Sequence, residues 1–325
     1  MPALSTRFTE RFGLDHPIAL APMDKISGGP LAAAVSEAGG LGLIGGGYAD
    51  AAWITDAFAQ AGNRPVGIGL ITWAALRAPG AFETVLNSNP RALLVSFGDA
   101  EPLVVAAHAR EIPVLWQVQT LAQAKQAMEA GAEVIVAQGQ EAGGHGGARG
   151  LMSLLPAIRD MAGPDQIILG AGGIADGRGL AAVLMLGGDG IMMGTRFWAC
   201  REATGPDVAK QRLTETGGDA TVRSSVFDVA RGLDWPRQFT GRVVRNDFLN
   251  RWHDDMAGLE AQAGAEQARY AAADDTDYTT RALIAGEALD LIHDLPSAAE
   301  IVRKTSTEAA ALLNGARRYS GGTAG

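Results

Sequence analysis

IILGAGGIADGRGLAAVLMLGGDGIMMGTRF, residues 167–197, holds a complete strand–turn–helix–strand unit, and its reading decides the fold. The opening IILGA is short and continuously apolar, which suits a strand buried on both faces better than one half exposed to water. Gly172 and Gly173 end it. Asp176 then offers a side-chain cap for a helix reaching Leu186, and Gly187–Gly188 stops that helix. At GIMMG, 190–194, the chain re-enters an apolar run, as a parallel strand reached through a crossover helix would.

Toward the N-terminus the same unit recurs. PIALAPM at 17–23, LGLIGGG at 41–47, VGIGLIT at 66–72 and ALLVSFG at 92–98 are strand candidates, as are VLWQVQT at 114–120 and VIVAQG at 134–139. Between them lie helix-like stretches. Pro30 suits the first turn of LAAAVSEAGG, which Gly39–Gly40 stop, and Thr120 can cap LAQAKQAMEAG, which ends at Gly131. Strand starts are spaced by roughly 20 to 33 residues, the length of one βα unit. Eight units predict a closed parallel (β/α)8 TIM barrel. An open doubly wound sheet is the alternative, but it usually carries its phosphate loop after the first strand. Here that turn is APMDKIS, without the glycine fingerprint, so the barrel is preferred.

From about Phe227 the pattern changes. Asn246–Asp290 has no strand-like run, and FLNRWHDDMAGLEAQAGAEQARYAAA has helical spacing. The expected division is a barrel over 1–226, a small helical second domain over 227–290, and a C-terminal helix over 291–325 packing back on the barrel. A helical insertion of this kind also serves as a dimerisation arm, which leaves a homodimer open.

Composition bounds the function. With 325 residues, 47% hydrophobic and 19% charged, the chain fits a compact α/β protein and not a disordered one. A net charge of −9 without a Lys/Arg cluster argues against nucleic-acid partners. No apolar run reaches the roughly 18 residues of a membrane span. MPALSTRFTERFG has no apolar core of a signal peptide, so a cytoplasmic protein is expected. Cys200 is the sole cysteine, which excludes an internal disulfide and a multi-cysteine metal site. No pair of histidines has HExxH-type spacing, and no metal is expected.

Chemistry in such a barrel belongs at the carboxyl ends of the strands. AGGIADGRG after the seventh strand and MGTRF after the eighth expose glycine N–H groups, and a helix starting near Thr195 would add its positive end. Together they read as an anion cradle where barrels usually hold phosphate; tight turns alone are the plainer reading. AQGQEAGGHGGARG, 137–150, puts extra chain on the same face, and Gly143 and Gly144 allow close approach to a flat ligand. His145 then sits on a glycine-flanked loop, where an imidazole titrating near neutrality suits proton transfer. Gln117 and Gln119 in WQVQT alternate onto one face of their strand, toward a ligand with ring carbonyls and nitrogens or toward a structural amide network.

As a set, APM at 21–23, GGG at 45–47, WQVQ, GQEAGGHGG, AGGIADGRG and MGTRF resemble the nitronate monooxygenase family over nearly the whole chain. The resemblance implies flavin mononucleotide (FMN) across the barrel mouth. Its phosphate would lie on Gly172, Gly173, Gly194 and Thr195, its ring region on Met23, Gln117, Gly143 and Gly144, with Ala171 also among the cofactor-binding residues, and His145 would be the catalytic residue. It also implies oxidation of alkyl nitronates with O2 to a carbonyl compound and nitrite. One departure stands out: many members carry Asn in a GVNL-type third strand, where this chain has Gly69. NAD(P)H-dependent reductases of the same superfamily, acting on enoyl thioesters or quinones, share these motifs. A non-catalytic flavin-binding protein is the reading from another class.

Overall fold

In the computed structural model, which describes residues 4–316, the expected runs form a parallel (β/α)8 barrel. Its strands are β1 (Ile18–Leu20), β2 (Leu43–Gly47), β3 (Gly67–Ile71), β4 (Leu93–Ser96), β5 (Val114–Val118), β6 (Val134–Gln138), β8 (Ile167–Ala171) and β9 (Gly190–Met193). They are hydrogen-bonded in the order β1-β9-β8-β6-β5-β4-β3-β2, all parallel. Closure comes just ahead of β2, where the Leu41 N–H donates to the Ile18 carbonyl and the Leu20 N–H to the Leu41 carbonyl, both at 2.9 Å.

Strand alternation sorts the side chains into two cores. Ala19, Leu94, Leu115, Val136, Leu169 and Met192 point inward, and Phe8 and Phe12 of the helix Arg7–Phe12 pack beneath them. Ile18, Ile68, Val95, Trp116, Ile135 and Ile168 point outward against the helices. The same parity carried upward puts Ser96, Gln117 and Gln138 inside the mouth, at the ends of β4, β5 and β6.

The helices start where their caps direct. Thr120 forms a capping box with Gln123 at the start of Leu121–Glu129, and the Arg178 N–H donates to the Asp176 carboxylate ahead of Gly177–Met185. The helix Ala298–Gly315 packs on Gly177–Met185, where a Cβ at Gly177 would lie 2.5 Å from the Ala309 nitrogen. Residues 317–325 of the expected C-terminal segment, and residues 1–3, lie outside the described residues.

A second, antiparallel sheet was not foreseen. β10 (Thr221–Ser224) pairs with β11 (Thr240–Val244), which pairs with β7 (Gly144–Gly146). β11 falls inside the stretch expected to be helical, and the sheet crosses the 226/227 boundary. TGRVV carries an arginine and a glycine and offers no long apolar run, so its partners, not its own pattern, make it a strand. The helices Val226–Ala230, Asp247–Trp252, Met256–Ala261 and Ala263–Ala272 share an apolar cluster with Val243, centred on Phe227, Phe248, Trp252 and Tyr270. Among the described residues no helix is long and apolar enough to cross a membrane, and no group of three His, Cys, Asp or Glu is placed to hold a metal.

Candidate active site

Two adjoining cavities open at the carboxyl ends of the strands, as the barrel requires. The smaller, about 100 Å3, is lined by Ala171, Gly172, Gly173, Gly194 and Thr195, and by Met23, Gln117 and Gly143. The larger, about 340 Å3, shares Met23, Gln117 and Gly143 with it and adds Gly144 and His145. All ten residues expected at the site therefore line one mouth.

The glycine turn after β8 needs its glycines. Gly172 and Gly173 have φ of +103° and +71°, and a Cβ at Gly172 would sit 3.0 Å from the Ala142 nitrogen and the Gly139 carbonyl. At Gly194 and Gly144 a Cβ would meet nothing closer than 3.5 Å, so there the missing side chain leaves room at the cavity wall. This is a concavity of backbone sized for a ligand group. The helix after β9 is a single turn, Thr195–Trp198, so its contribution is the N–H groups of that turn more than a long dipole. The Thr195 hydroxyl accepts from the Gly286 N–H at 2.9 Å, and the Glu287 N–H donates to the Glu141 carbonyl, also at 2.9 Å. The segment 284–288 thus clasps the loop after β6. The fit is tight: a Cβ at Gly143 would lie 2.6 Å from the Ala285 carbonyl carbon.

Gln117 and Gln119 part company. Gln117 follows Leu115 on the inner face and lines both cavities, whereas Gln119 lies past the strand end and donates to Gln138 at 2.9 Å. Gln138 in turn donates to the His145 carbonyl at 3.0 Å, anchoring the loop. Gly69 also finds its explanation. A Cβ there would lie 2.5 Å from Pro22 Cβ, so the room that an asparagine would need is filled by the proline ring of APM.

His145 is held from three sides. Its strand β7 pairs with β11, placing it opposite Gly241. Its Nε2 lies 2.8 Å from Asp228 Oδ1, and its ring stacks on Trp235 with centroids 3.4 Å apart and planes 3° from parallel. Phe97 meets the ring edge-on, with centroids 6.4 Å apart. A carboxylate only accepts, so Nε2 carries the hydrogen and Nδ1 keeps its lone pair. Burial pushes the imidazole below its ordinary value, against Asp228, which pulls it up; Arg231 and Arg223 act with burial. The result is an oriented imidazole that favours its neutral form near pH 7.

Asp228, Arg231 and Trp235 escaped the sequence reading. They lie more than 80 residues from His145 in SVFDVARGLDW, a stretch with no motif, and only the antiparallel sheet brings them to it. His16, His108, His253 and His293 take no part in either cavity; His16, for example, bonds Ser306 at 2.9 Å.

Comparison with known proteins bears on the family and the fold. The family model for nitronate monooxygenase matches residues 5–81 and 79–308. A nitronate monooxygenase of Neurospora crassa is 33% identical, over 89% of this chain and 88% of its own. Among solved structures, FabK from Thermotoga maritima is 26% identical with a TM-score of 0.86, covering 97% of this chain and 99% of that one. A nitroalkane oxidase from Streptomyces ansochromogenes is 27% identical with a TM-score of 0.78, covering 94% and 98%.

Proposed function

From the premise that this chain belongs to the nitronate monooxygenase family, we propose that it binds FMN and oxidises alkyl nitronates with O2 to a carbonyl compound and nitrite. The family is one of flavin-dependent oxidoreductases, and the residues present fit the cofactor. Gly172, Gly173, Gly194 and Thr195 would hold the phosphate with backbone N–H groups, and Met23, Gln117, Gly143 and Gly144 would meet the ring region. When bound, FMN supplies the electron transfer between substrate and O2.

The observation that carries the reading is the His145–Asp228 contact on the wall of the larger cavity. In a neutral nitroalkane the α-carbon is acidified by the nitro group, and Nδ1 of His145 is free to take that proton. Asp228 then stabilises the imidazolium through Nε2, and the stacked Trp235 prevents the ring from turning away. A preformed nitronate needs no such step. Gln138 keeps the loop carbonyl in place throughout.

The test is a purified, FMN-loaded sample in air with ethyl nitronate and no NAD(P)H. Nitrite release with loss of nitronate is the expected result. The competing reading, an NAD(P)H-dependent reductase, predicts instead that NADH or NADPH bleaches the flavin under anaerobic mixing while nitronate leaves it unchanged. That outcome would overturn the monooxygenase proposal.

A further inference from the structure

Arg231 follows directly on the helix Val226–Ala230, three residues after Asp228. One turn of chain thus sends a carboxylate to His145 and a guanidinium to the wall of the larger cavity. The other two arginines near the loop are spent. Arg223 donates to the carbonyls of Gln140 and Thr240, and Arg242 to the Gln140 carbonyl and to Glu287. Arg231 makes no hydrogen bond through its guanidinium and no salt bridge among the described residues. It lies with its guanidinium carbon 5.7 Å from the centre of the Tyr48 ring.

A half-buried guanidinium beside a cavity, with its fork of donors unfilled, is matched to a planar group bearing two oxygens. His145 is not suited to that part, since its Nε2 is committed to Asp228 and burial keeps the ring neutral. Asp24 on the same wall does not come within salt-bridge distance of Arg231, and burial pushes its carboxyl above the ordinary value against the pull of Arg231 and Lys25. We propose that Arg231 is the oxyanion site of the larger cavity and takes both oxygens of the substrate's nitronate group. This rests on the nitronate reading and deepens it. His145 handles the proton, Arg231 holds the charge, and the two are fixed to each other by the same helical turn.

The probe is nitrate, a planar oxyanion that carries no α-carbon to react. It is titrated into the FMN-loaded wild type, Arg231→Met and Arg231→Lys, with calorimetry as the readout. We expect nitrate binding to weaken by at least about tenfold in Arg231→Met, the scale of losing a charge-assisted hydrogen bond, and by less in Arg231→Lys. KM for ethyl nitronate should rise in step, while KM for neutral nitroethane should change little. Nitrate binding as tight in Arg231→Met as in wild type, or no binding to wild type, would overturn the proposal. So would equal losses for nitrate and neutral nitroethane. If Arg231→Met does not fold, Arg231→Lys carries the test, and an unchanged nitrate affinity there overturns it. Arg231-dependent nitrate binding without nitrite release from ethyl nitronate would support the oxyanion site and remove the nitronate reading.

Discussion

Which nitrogen of His145 takes a proton is decided by Asp228, and replacing that carboxylate by an amide reverses the choice. In Asp228→Asn the new amide can donate to Nε2, which moves the ring hydrogen to Nδ1 and removes the free lone pair that the proposed proton transfer uses. Turnover of neutral nitroethane should fall by roughly 10²- to 10⁴-fold, the value of a positioned base, and that of ethyl nitronate far less. Equal losses for the two substrates, compared as kcat/KM, would make Asp228 a structural residue only. The wild-type pH profile follows from the same burial. A base whose folded value is pushed below its ordinary 6.5 stays neutral further into acid, so the acid limb for nitroethane should lie under pH 6.5. Gly69 gives the opposite kind of residue, one that is needed for what it lacks. Gly69→Asn would press on Pro22 and should cost about 1–3 kcal/mol by overpacking, read from urea unfolding. Unchanged stability would mean that the APM turn yields freely.

Single elements differ in how openly the sequence displays them. The eight barrel strands were legible because each is a short apolar run closed by glycine or a cap, and burial on both faces leaves no other use for such a run. β7, β10 and β11 were not. GHG, TVRS and TGRVV look like loop, and they are strands only because TGRVV finds TVRS nearby in the chain and GHG from the far side of β8 and β9. The glycine turn after β8 lies between these cases: its glycines were visible, but their positive φ and the close approach of Ala142 were not. Gly173→Asp tests what that turn does. Asp tolerates positive φ better than most residues, and its Cβ would lie 3.2 Å from Glu141 Cβ, so the backbone should hold with small adjustments. Its carboxylate would stand beside Glu141, where the phosphate is proposed to sit, and like charges repel strongly at that distance. FMN affinity should therefore fall by orders of magnitude with little change in circular dichroism. Retained affinity would place the phosphate elsewhere.

Taken whole, the molecule brings together two stretches of chain whose meeting the sequence did not announce. The cradle glycines and Gln117 belong to the barrel, and periodicity plus glycine placement was enough to point to them. Asp228 and Trp235, which bond and stack on the His145 ring, come from the chain after Thr221, and nothing in SVFDVARGLDW signals that it folds over the mouth. Between the two lies the loop 139–147, clasped by 284–288 on one side and by β11 on the other. A ligand resting on the cradle and against Gly143 and Gly144 touches the barrel and this loop together, and the unfolded chain offers it neither surface. Its binding free energy then adds to folding stability by mass action, about 2.7 kcal/mol when free ligand is 100 times its Kd. Cofactor-stripped protein titrated with FMN should accordingly show a rising denaturation midpoint that tracks FMN concentration. Riboflavin has the same ring system without the phosphate, so it would keep the contacts proposed at Gln117 and Gly144 and lose those proposed at Gly172, Gly173 and Gly194. Its effect at equal concentration should be much smaller. If riboflavin raised the midpoint as far as FMN does, the glycine turns after β8 and β9 would be turns and nothing more.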